Sequence, residues 1–76
     1  MAEAKKVAIL CVSRRMFQYW ISENSEPNID YFHVNKIDDV CGMRFHEIIK
    51  AFDWYDIQDI DRLLEITQSR LYESII

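Results

Sequence analysis

Glycine and proline are almost missing from this chain: one of each in 76 residues. That excludes flexible linkers, low-complexity tracts and collagen-like repeats. It also excludes a phosphate-cradling loop of the GxxxxGKS/T type, which needs several closely spaced backbone amides and a lysine. No apolar run approaches the 20 residues of a membrane span, and the six apolar residues behind MAEAKK are too few for a signal peptide. Basic charge is scarce as well. Nine Lys and Arg face 13 Asp and Glu, a net charge of −4, which argues against a sequence-independent grip on nucleic acid. The two cysteines, with no secretion signal, point to free thiols in a reducing cytoplasm.

What is present is apolar and aromatic. Half of the residues are apolar and 13% are aromatic, enough for one folded core and against disorder. The length fits a single domain over residues 1–76, and so small a domain is marginally stable alone. Some of its apolar surface is therefore expected to be covered by a partner or, in a closed dimer, by a second copy.

The chain is organised around Val7–Val12, six apolar residues without alternation, the mark of a strand buried on both faces. The reading along the chain is strand 6–12, helix 14–25, strand 30–35, strand 46–52 and helix 57–73. Ser13 stands where it can cap the first helix, and Phe17, Trp20 and Ile21 recur at helical spacing. Phe17, Tyr19 and Trp20 cannot share one side of that helix, and Tyr19 is assigned outward. Ile57, Ile60, Leu63, Leu64 and Leu71 form the stripe of the last helix, with Asp56 as its candidate cap. The segment 45–52 is ambiguous by pattern: Phe45, Ile48, Ile49 and Phe52 fit a helix, and a strand competes.

The stretch Asp39–Ile49, DVCGMRFHEII, resembles the "RG-x-R-F-D-x-I-I" segment that leads into the acidic strand of helicase-like and terminase-like NTPase cores. Gly42, Arg44, Phe45, Ile48 and Ile49 match it, while Cys41 stands where Arg is usual and His46 where Asp is usual. Small stand-alone bacteriophage proteins carry similar chains. The resemblance implies that residues 46–52 are a strand. The fold expected is then α/β: a small, three-stranded, largely parallel sheet with two main helices in the order β-α-β-β-α. It implies a shared shape without ATPase chemistry, since the phosphate loop is missing and Asp53-Trp54 replaces an Asp-Glu pair.

Three groups of residues carry possible function. Ser13, Arg14 and Arg15 follow the first strand, where open α/β sheets bind ligands, so they are a candidate anion site; a capped helix with two solvated arginines fits the same pattern. Asn35 and Asp53 would lie at the same edge if the strands are parallel. Trp54 and Tyr55, between Asp53 and Asp56 and close to Asp59, form a candidate partner-binding surface; alternatively Trp54 closes the core. The acidic series Asp53, Asp56, Asp59, Asp61 and Glu65 suits a basic groove, or simply compensates the helix dipole. His33, His46, Cys11 and Cys41 lack any zinc spacing, so no metal is expected. Neither cofactor nor catalytic residue is assigned, because so small a domain has little room for a Cys–His pair with its orienting group.

The expected function is therefore non-enzymatic. It is that of a small phage-type protein that binds a protein of a host or viral nucleic-acid machine in the host cytoplasm. The other reading is a degenerate nucleotide- or nucleic-acid-binding domain that uses the Ser13-Arg14-Arg15 turn.

Overall fold

The computed structural model describes residues 4–72. It is an α/β domain with strand β1 at Lys5–Leu10, helix α1 at Arg14–Asn24, β2 at Ile29–Val34, β3 at Glu47–Lys50 and helix α2 at Ile60–Ser69. Single 3-10 turns at Ile37–Val40 and Trp54–Asp56 complete it. The sheet order is β2-β1-β3, and both pairings are parallel.

The unbroken apolar run is central because both of its faces are covered. Ala8 and Leu10 join Val34, Val40, Phe45, Ile57 and Leu63 in one cluster. Val7, Ile9 and Cys11 join Phe17 and Ala51 in the other. Helix α1 covers the second cluster through Phe17, and the 37–40 turn and α2 cover the first through Val40 and Leu63. This two-sided burial explains why β1 shows no polar alternation.

Burial between two layers also makes residues 47–50 a strand. Ile48 packs on the α2 side and Ile49 on the α1 side, as period two requires of a strand between two layers. The strand is shorter than the 46–52 expected, because Ala51–Trp54 closes a turn in which the Trp54 amide donates to the Ala51 carbonyl (3.1 Å). The last helix is also shorter than 57–73. Residues 54–56 take up a 3-10 turn, and Asp59, rather than Asp56, precedes α2 in a left-handed conformation (φ 55°) with no side-chain cap. At its far end Leu71 leaves the helix to bridge Phe45 in parallel; residues 73–76 lie outside the described region. The remaining elements fall within one or two residues of the sequence reading.

Gly42 has φ 73° and stands where an added Cβ would meet nothing within 4 Å. Glycine is needed there for the backbone alone, to turn the chain from Val40 toward Phe45.

Candidate functional site

Parallel strands bring the ends of β1, β2 and β3 to one edge, where open α/β sheets hold their ligands. Asn35 and Asp53 do meet there, on the backbone of Val12. The Asn35 Nδ2 donates to the Val12 carbonyl (2.9 Å), and the Asp53 Oδ1 accepts from the Val12 amide (3.3 Å). Asp39 accepts from the Asn35 amide (3.0 Å) and so holds the loop after β2 against the same edge. A His33 ring nitrogen lies 3.0 Å from the Cys11 carbonyl, and its ring stacks on Phe17 at 5.2 Å.

Ser13 caps α1: its hydroxyl accepts from the Met16 amide (3.2 Å). Arg14 is exposed and lies over the Phe17 ring at 5.2 Å. Arg15 is exposed, and its guanidinium makes no hydrogen bond or ion pair among the described residues. The two guanidiniums share this edge with the Asp53 carboxylate, which opposes an incoming anion.

Cys11 is fully buried, and its thiol is pushed up to about 11, first by burial and second by the Asp53 charge. At neutral pH it is a protonated thiol rather than a nucleophile. Cys41 is exposed beside Gly42, and both cysteines are free. Among the described residues no three His, Cys, Asp or Glu side chains gather to hold a metal ion. No helix there is long and apolar enough to cross a membrane.

Trp54 and Tyr55 divide between inside and outside. Trp54 is half-buried, packs on the α2-side core and carries the Lys50 ammonium 4.8 Å above its ring. Tyr55 is 62% exposed and meets Trp54 edge to face. Asp56, Asp59, Asp61 and Glu65 are all exposed, whereas Asp53 is half-buried.

Phe52 carries no site role in the sequence pattern. It lies at the second position of the Ala51–Trp54 turn with φ 50°, where such turns normally carry glycine, Asn or Asp. Its ring is 42% exposed and packs against Tyr19, itself 54% exposed, at 5.8 Å. Val12 is exposed at the same edge. A bulky residue in a glycine conformation costs about 1–2 kcal/mol and persists only where the surrounding structure holds it there. Nothing in the sequence marks Phe52, because its spacing from Ile48 and Ile49 reads as core. Comparison with protein families, with characterised proteins and with solved structures finds no match to this chain.

Proposed function

We propose that this is a non-enzymatic binding protein whose ligand is another protein, held at the carboxyl end of the sheet. The observation that carries this reading is Phe52: a strained, half-exposed aromatic packed at a tilt against a second exposed aromatic, Tyr19. Rigid aromatic anchors surrounded by polar groups are what protein interfaces use. Tyr55 extends the aromatic surface along the same post-β3 segment, and Asp53, Asp56 and Asp59 lie in that segment or just beyond it. The exposed acids of α2 suit a basic partner surface, such as a protein that handles nucleic acid. This extends the expectation of a phage-type modulator of a nucleic-acid machine.

Direct phosphate binding by Arg14 and Arg15 is the competing reading, supported by their exposure at the start of an eleven-residue helix. The Asp53 carboxylate and the net charge of −4 oppose it.

The test is sedimentation with a short duplex, a short single strand and ATP, followed by affinity capture from lysate with wild type and Tyr19→Ala/Phe52→Gly. The expected result is no co-sedimentation, and a captured protein that the double variant loses. Salt-sensitive co-sedimentation abolished by Arg14→Ala/Arg15→Ala would replace this reading with the phosphate one.

A further inference from the structure

The two free edges of the sheet are built differently. β3 is four residues long, carries charge at both ends (Glu47 and Lys50), and its approach is already bridged. There the Phe45 amide donates to the Arg70 carbonyl (2.9 Å) and the Tyr72 amide to the Phe45 carbonyl (3.0 Å). These are the usual ways of blunting an edge. β2 is less protected, with the exposed Asp30 as its one carboxylate. It runs six residues, Ile29–Val34, without lysine, proline or bulge, and no strand lies on its outer side among the described residues. Beside it lies a groove of about 510 Å³ lined by Phe17 and Ile21 of α1 and by Ile29, Asp30, Tyr31 and Phe32 of β2.

We infer that the β2 edge pairs antiparallel with the β2 edge of a second copy of this chain, giving a continuous six-stranded sheet. A twofold axis normal to the sheet reverses the strand and preserves its faces. Directly opposed residues must share a face, so the axis passes through Tyr31 or Phe32. Through Phe32, Tyr31 opposes the partner's His33 and Asp30 opposes the partner's Val34. Through Tyr31, Ile29 opposes the partner's His33 and Asp30 the partner's Phe32. Neither register opposes like charges, since Asp30 is the only carboxylate in the strand.

The same axis sets both α1 helices on one face, either side of the seam. Each copy's Ile21 and Ile29 then close the open side of the other's groove, an apolar wall against itself. That self-match favours a second copy over an unrelated strand. The contact is small: a six-residue strand spans roughly 20 Å. A contact of that extent is expected to be weak and reversible. This surface is separate from the Phe52 edge, and either assignment can fail without the other.

The experiment is sedimentation velocity of the purified chain from low micromolar to near-millimolar concentration, with amide hydrogen exchange at the two extremes. Monomer passing to dimer is expected, with added protection at high concentration on residues 29–34. Ile21→Glu is expected to weaken association about tenfold or more, because it places an unpaired carboxylate in the apolar seam. Exchange is measured on the unaltered protein, so a poorly folded variant does not decide the outcome. A monomer at every concentration overturns the inference. So does a dimer whose added protection falls outside β2.

Discussion

Phe52 offers a test in which the usual order of two substitutions reverses. Outside positive-φ positions, glycine is less stable than alanine by roughly 0.5–1 kcal/mol, because the unfolded chain gains freedom. At Phe52 the backbone has φ 50°, which costs a residue with a Cβ about 1–2 kcal/mol and glycine nothing. Both variants lose the same ring. A little over half of it is buried, worth roughly 1–1.5 kcal/mol, and its contact with Tyr19 adds about 0.5 kcal/mol. Phe52→Ala loses the ring and keeps the strain, so it is destabilised by about 1.5–2 kcal/mol. Phe52→Gly loses the ring but relieves the strain. It should be the more stable of the two by about 0.5–1 kcal/mol, or a few degrees in Tm for a domain of this size. Urea unfolding of both variants, with equal slopes, reads the difference directly. Phe52→Ala as stable as Phe52→Gly, or more so, would refute the claim that this backbone is held in a glycine conformation.

Other outcomes follow from single contacts. Gly42→Ala should cost about 1 kcal/mol, although the site has open space, because only the backbone objects (φ 73°); thermal unfolding measures it. Leu63→Ala, at 1% exposure in the α2-side core, should cost about 2–5 kcal/mol in a denaturant titration, a large share of a small domain's stability. A thiol reagent at neutral pH should modify Cys41 at once and Cys11 only on unfolding; fast reaction of both would contradict the burial of Cys11. Because the Cys11 thiol is raised from 9.0 to about 11, its protonated form stabilises the fold fully below pH 9, and that contribution is lost as pH rises through 11. Cys11→Ala should flatten this alkaline decline in unfolding free energy. The measurement belongs in a Lys5→Met background, since Lys5 is also raised by its bond to Glu47 and titrates in the same direction.

The fold was legible where burial writes itself into composition. Val7–Cys11 has no polar residue because both of its faces are covered, and Ser13 marks the start of α1 because its hydroxyl caps it. The third strand was not legible by period. Ile48 and Ile49 face opposite layers, and a short doubly buried strand has the same apolar density as a helix turn. The boundaries of α2 were hidden for another reason: Asp59 adopts a left-handed conformation that aspartate tolerates without advertising it, and Leu71 leaves the helix for a long-range bridge to Phe45. At the site, Asn35 and Asp53 could be brought together from topology alone. Trp54 and Tyr55 stood out by residue type, yet the structure turns one toward the core and the other outward. Phe52 was invisible because its importance lies in a backbone angle, and a phenylalanine after two isoleucines reads as core.

Protein binding by the aromatic surface at the carboxyl end of the sheet is proposed, and Phe52→Gly tests it most directly. This variant removes the anchor while relieving the backbone strain, so lost binding cannot be put down to an unfolded chain once its unfolding curve is known. The affinity of a captured partner is measured for wild type and Phe52→Gly side by side. A loss of at least tenfold is expected on removing an interface anchor worth about 1.4 kcal/mol or more. Equal affinity for the two proteins would contradict it and move the binding surface away from Phe52.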